Sequence, residues 1–136
     1  MRVVLGTNIF ASSFFGGKPR QIVDLWKSGR ITLCLSSGIL DEYLAVLARM
    51  GVDEGPELRD LLRLFRESRH MLFASHPRAL RIVEDDPDDD KFVACAIALN
   101  VPFLVSGDRH LTRIGRYMDI RIVSPAEFLA SWRAEV

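Results

Sequence analysis

Short apolar runs alternate with helical stripes along this chain. Val3-Val4-Leu5 is brief and β-branched at two of its three positions, which predicts a buried strand. After a loop holding Gly16 and Gly17, Pro19 opens a helix with Ile22, Val23 and Trp26 on one face, closed by Gly29. Ile31 to Leu35 reads as a second strand. Ser36 or Ser37 then caps a helix whose apolar positions 39, 40, 43, 44 and 47 recur at helical spacing, ended by Gly51. Pro56 starts a third helix carrying Leu58, Leu61, Leu62, Leu64 and Phe65, and Leu80 to Val83 reads as a brief strand. An acidic turn, Glu84 to Asp90, leads into a helix over residues 89 to 99. Phe103-Leu104-Val105 predicts a strand, Arg109 to Ile114 a short helix, and Ile120 to Val123 a last strand. Ser124-Pro125-Ala126-Glu127 is a capping box with proline at the first helical position.

Strand–helix alternation at this spacing predicts an α/β fold, a mostly parallel sheet of four to five strands with helices on both faces. The 136 residues suit a single domain, residues 1–136, able to bury a sizeable core. Eighteen basic and 18 acidic side chains cancel, so any nucleic-acid contact must come from a local patch rather than a global field. Cys34 and Cys95 lie far apart within apolar stretches and read as reduced core thiols. With no signal-peptide pattern, and no apolar run near the roughly 18 to 20 residues that span a bilayer, the expectation is a cytoplasmic protein without a membrane partner.

Ligands of an open parallel sheet gather outside the carboxyl ends of its strands. Three stretches place polar groups there: Gly6-Thr7-Asn8, Ser106-Gly107-Asp108, and Asp90 at the start of the helix after the acidic turn. Asp90 shares a stripe with Val93 and Ile97, and a carboxylate on a buried stripe costs free energy unless paired, hydrogen-bonded or metal-bound. Plainer readings stand beside this one. The acidic turn also suits a solvated loop with a cap, Glu42 a surface helix position, and Thr7 and Asn8 turn residues bonding local backbone. Asp108 would by default cap the helix that follows it. The acidic run is no EF-hand loop, because Lys91 stands at the required glycine and Ile97 at the bidentate glutamate. His70, His76 and His110 lack zinc-site spacing, and nucleophile-elbow, Walker and dinucleotide motifs are missing.

Four stretches, in order, resemble the PIN domain family. Met1 to Phe10 resembles the family's opening, in which an apolar strand runs into Asp-Thr-Asn; here Gly6 takes the place of the aspartate. Ser36-Ser37-Gly38-Ile39-Leu40-Asp41-Glu42 is similar to the second motif, Asp86-Pro87-Asp88-Asp89-Asp90-Lys91-Phe92 to the third, and Leu104-Val105-Ser106-Gly107-Asp108 to the fourth. The likeness extends through Val123 to Leu129 and leans toward toxins of toxin–antitoxin pairs, related to the VapC type. It implies a three-layer α/β/α sandwich and a ribonuclease dependent on Mg²⁺ or Mn²⁺. By that likeness Glu42, Asp90 and Asp108 are the catalytic metal ligands, with Thr7, Asn8 and Ser106 orienting the groups around the ion. Arg109 and Arg113, near the carboxyl edge, are the candidate contacts to RNA phosphates. The implied partners are the RNA substrate, a cognate antitoxin protein and a second copy of the chain. Two departures, Gly6 and His110 (where the subgroup usually has an acid), imply impaired activity. The alternative they open is an inactive PIN domain kept as a protein- or RNA-binding module.

Overall fold

The computed structural model describes residues 1–50, 55–75, 77 and 87–135. Its elements in chain order are β1 (Arg2–Leu5), α1 (Thr7–Ser13), α2 (Gly17–Lys27), β2 (Thr32–Ser36), α3 (Ser37–Arg49), α4 (Pro56–Arg66) and β3 (Met71–Ala74). A 3₁₀ turn, Pro87–Asp89, precedes α5 (Asp90–Ala98), followed by β4 (Phe103–Val105), α6 (Arg109–Thr112), β5 (Arg116–Tyr117), β6 (Ile120–Val123) and α7 (Pro125–Glu135).

The strands form one sheet in the order β3-β2-β1-β4-β6-β5, parallel throughout except for the β5–β6 pair at one edge. Central strands in such a sheet are covered on both faces, so their sequences run continuously apolar rather than alternating. Val3, Val4 and Leu5 of β1 and Leu104 and Val105 of β4 accordingly have no solvent exposure. Among the described residues six strands form, more than the four to five expected. The two additions, β3 and β5, lie at the sheet's edges; β5 (Arg116–Tyr117) is two residues long with no apolar run, whereas β3 (Met71–Ala74) is apolar throughout but short and partly exposed, with no turn signal before it. The strand expected over residues 80 to 83 lies outside the described residues.

Helix α1 corrects the reading of residues 7 to 13 as loop. It is short, and its N-cap, Gly6, contributes no side-chain hydrogen bond, so no capping signal announces it. Ile9 and Phe10 are core residues of this helix. Phe10 packs among Trp26, Tyr43 and Phe65 with ring centroids 4.6 to 5.7 Å apart. Such pairs add about 0.5–1.5 kcal/mol each beyond the area they bury. This aromatic cluster ties α1, α2, α3 and α4 together beside β1. Trp26 is fully buried and donates its indole N–H to the Arg69 carbonyl at 3.1 Å, while Trp132 is only partly buried against the core.

Several boundaries differ from expectation by a residue or two. β2 begins at Thr32 rather than Ile31, and α2 begins at Gly17, which places Pro19 within its first turn. Ser36 occupies the N-cap position of α3 without making a side-chain cap bond, and α3 ends at Arg49. The capping box at α7 forms as predicted. Ser124 N donates to Glu127 Oε1 at 3.1 Å, and Glu127 N donates to Ser124 Oγ at 3.2 Å. Cys34 and Cys95 are buried free thiols. Among the described residues no helix is long and apolar enough to cross a membrane.

Candidate active site

The connections leaving β1 and β4 run in opposite directions, since β1 leads to β2 on one side and β4 leads to β5 and β6 on the other. The carboxyl ends of β1 and β4 therefore frame a topological switch point, where the diverging connections leave a crevice. Gly6 and Ser106 are the first residues past those two ends. Gly6 N donates to the Val105 carbonyl at 2.8 Å, and Ser106 N donates to that of Val123 at 2.9 Å, so both are fixed to the sheet.

A pocket of about 220 Å³ opens there. From the two strand ends come Gly6, Thr7, Asn8, Ser106 and Asp108; from α3 come Glu42, Val46 and Arg49; Asp89 and Phe92 enter from the turn before α5 and from α5 itself. Glu42, Val46 and Arg49 follow i, i+4, i+7 spacing, so one stripe of α3 faces the pocket. Tyr43, the residue after Glu42, points into the core and donates its hydroxyl to the Leu5 carbonyl at 2.5 Å, pinning the end of β1 directly before Gly6. Burial pushes the Tyr43 phenol well above its ordinary pKa, so it stays a donor.

Individual side chains are held by short-range geometry. The Ser106 hydroxyl, itself buried, accepts the Asp108 N–H at 3.0 Å and sets the turn that presents Asp108. Asp108 Oδ1 accepts from His110 N at 2.8 Å, so this carboxylate also caps α6, the default role read from its position. His110 itself is exposed. Thr7 Oγ1 donates to Glu42 Oε2, and Lys91 Nζ meets Glu42 Oε1 at 2.7 Å. Asp90 is the first residue of α5 and is 8% exposed, as its place on the apolar stripe predicted.

The pocket thus gathers Glu42, Asp108, Thr7, Asn8 and Ser106 from separate stretches of chain. Asp90 is not among its lining residues; its neighbour Asp89 is, with one carboxylate oxygen shut off from solvent. Arg109 and Arg113 line a separate shallow depression with Thr112, whereas Arg49, exposed and overlooked in the sequence, reaches the carboxylate pocket. Sequence reasoning missed Arg49, Asp89 as the acid that lines the pocket, and the pairing of Lys91 with Glu42. Helical spacing from Glu42 would have found Arg49, but nothing local announces that Lys91 reaches a glutamate 49 positions away.

The family model of the PIN domain matches residues 2–110, which include all four pocket-forming stretches. The chain belongs to the PIN domain family. No curated protein and no solved structure matches it. A PIN domain is a nuclease-type fold, and PIN domains typically use divalent metal ions. The lining of this PIN domain's pocket fits a hard cation in kind, because carboxylate, hydroxyl and amide oxygens are its donors. The fit is incomplete in number. Among the described residues no three acidic, histidine or cysteine side chains are grouped closely enough to hold a metal ion. Gly6 supplies no carboxylate, and both oxygens of Glu42 already have donors.

Proposed function

We propose that this PIN domain is an endoribonuclease that hydrolyses RNA phosphodiester bonds with Mg²⁺ or Mn²⁺, impaired in the present chain by Gly6. The supporting observation is the convergence of Glu42 and Asp108, with Thr7, Asn8 and Ser106, in one pocket at the sheet's switch point. Glu42, Asp90 and Asp108 are the residues that would hold the ion, Asp90 by turning from the first turn of α5. A bound divalent ion would supply an activated water and offset charge on the leaving oxygen. The protein's own contribution is positional. Tyr43 fixes the strand end, Thr7 orients Glu42, Ser106 sets the Asp108 turn, and Arg49 offers a cation to a phosphate at the rim.

Without a carboxylate at residue 6, the groups that place the attacking water are fewer and looser, and a misplacement of about 1 Å costs on the order of a hundredfold in rate. In this reading the chain is a cytoplasmic toxin of the VapC type, paired with an antitoxin protein and with a second copy of itself. Its exposed Phe15, together with Leu72 and Phe73 on the edge strand, provides apolar surface for protein contact. A second reading, an inactive PIN domain serving as a binding module, draws support from the lysine that occupies Glu42.

Cleavage of a labelled RNA with Mn²⁺, compared with EDTA, decides between them. Gly6→Asp is expected to cut about a hundredfold faster than the parent, with Glu42→Ala as the blank. If Gly6→Asp and the parent both stay at the Glu42→Ala level, the nuclease reading fails and the binding module stands.

A further inference from the structure

Resting on the reading of this pocket as a nuclease site, we propose that Lys91 is its resident counter-cation. Its ammonium holds Glu42 in position without a metal and competes with a divalent ion for that carboxylate. Lys91 stands in the first turn of α5, and its Nζ crosses to α3 to meet Glu42 Oε1 at 2.7 Å. The other oxygen, Oε2, takes the Thr7 hydroxyl. Glu42 therefore has a donor on each oxygen before any ion arrives. The two charged side chains are 29% and 30% exposed, so water screens the pair only in part. The lysine stem runs in the angle between the two helices, with its ammonium 5.7 Å from the Phe92 ring centre and its Cδ beside Gly38.

Charge balance explains why an ammonium suffices here. The pocket and this contact bring together three carboxylates (Glu42, Asp89 and Asp108) and two cations (Lys91 and Arg49). That leaves one net negative charge to attract a dication, two once Asp90 turns in as a ligand, and glycine at residue 6 withholds a further one. A divalent ion that takes Glu42 must displace Lys91 or tolerate its positive charge a few ångströms away. Lysine suits the role, because its charge is compact and its flexible stem can withdraw without disturbing either helix.

Mn²⁺ titration followed by calorimetry, with no RNA present, tests this on four proteins: the parent, Lys91→Met, Gly6→Asp and the double variant. Methionine keeps most of the stem and removes the charge. Lys91→Met is expected to tighten Mn²⁺ binding about tenfold in both backgrounds, the scale of a partly screened unit charge near the ion. Lys91→Arg, which keeps the charge, is expected to bind like its parent. Should Lys91→Met lose its cooperative thermal transition, Lys91→Gln takes its place. Equal or weaker binding after the charge is removed overturns the counter-cation role. If Gly6→Asp binds Mn²⁺ and loss of the lysine charge does not tighten it, Lys91 alone is misassigned. If none of the four binds Mn²⁺, the nuclease reading falls with it.

Discussion

Replacing Gly6 by aspartate adds a side chain at a position whose backbone already accepts one. Gly6 has φ −61° and ψ 149°, an extended conformation open to any residue, so the substitution carries no backbone strain. A Cβ there would stand 3.2 Å from Ser106 Oγ and 3.4 Å from the Val105 carbonyl oxygen, which asks Ser106 to yield by a few tenths of an ångström. Gly6 is also the N-cap of α1, where aspartate exceeds glycine by only a few tenths of a kcal/mol. Loss of glycine's freedom in the unfolded chain adds about 0.4–1 kcal/mol in the same direction. Against these gains stands repulsion from the pocket's net charge of about minus one (Glu42, Asp89 and Asp108 offset by Lys91 and Arg49), roughly 1–2 kcal/mol for a like charge several ångströms away in a partly screened site.

Without metal these contributions nearly cancel, and Gly6→Asp should unfold within about 1 kcal/mol of the parent. With metal the repulsion becomes attraction. An ion at a hundred times its dissociation constant stabilises the folded state by about 2.7 kcal/mol, or about 8 to 13 °C in a domain of this size. Thermal unfolding in EDTA and in millimolar Mn²⁺ measures both quantities. Equal Mn²⁺-induced shifts in Gly6→Asp and the parent would refute the reasoning, because residue 6 would then not face the ion.

Three further outcomes follow from the same geometry. Tyr43→Phe removes the hydroxyl that donates to the buried Leu5 carbonyl, so urea unfolding should show a loss of about 1–3 kcal/mol. Arg49→Gln should weaken RNA binding evenly across sequences and reduce the slope of log affinity against log salt by about 1, while Asp119→Asn, far from the pocket, should not. Burial pushes the Cys34 thiol up to about 11 and the Cys95 thiol up to about 12, from an ordinary value of 9.0. Because their folded pKa values are raised, their contribution to stability is complete below pH 9.0 and is lost as pH climbs through those higher values. Stability measured from pH 8 to 11 should therefore fall, and less steeply in Cys95→Ala; a flat profile would contradict the burial argument.

Much of this architecture was legible because its central elements speak locally. β1 and β4 are uninterrupted apolar runs, α3 repeats its apolar positions at helical spacing, and Ser124 and Glu127 satisfy each other across one turn. The elements that escaped are those whose formation depends on neighbours far along the chain. α1 has no side-chain cap and is held by the aromatic cluster, and β3 gains its ladder only by lying beside β2. The candidate site divides the same way. Glu42, Asp90 and Asp108 could be named from their order along the chain, yet which of Asp89 and Asp90 lines the pocket depends on how the 3₁₀ turn delivers α5. The Lys91–Glu42 pair exists only once α5 packs beside α3.

Crystals of Gly6→Asp soaked in Mn²⁺ and measured at the manganese edge give the most direct test of a shared cation pocket. The expected result is an anomalous peak between the ends of β1 and β4, in contact with Glu42 and Asp108, with Lys91 turned away from Glu42. Manganese bound only outside this pocket, or no peak at all at saturating metal, would contradict it.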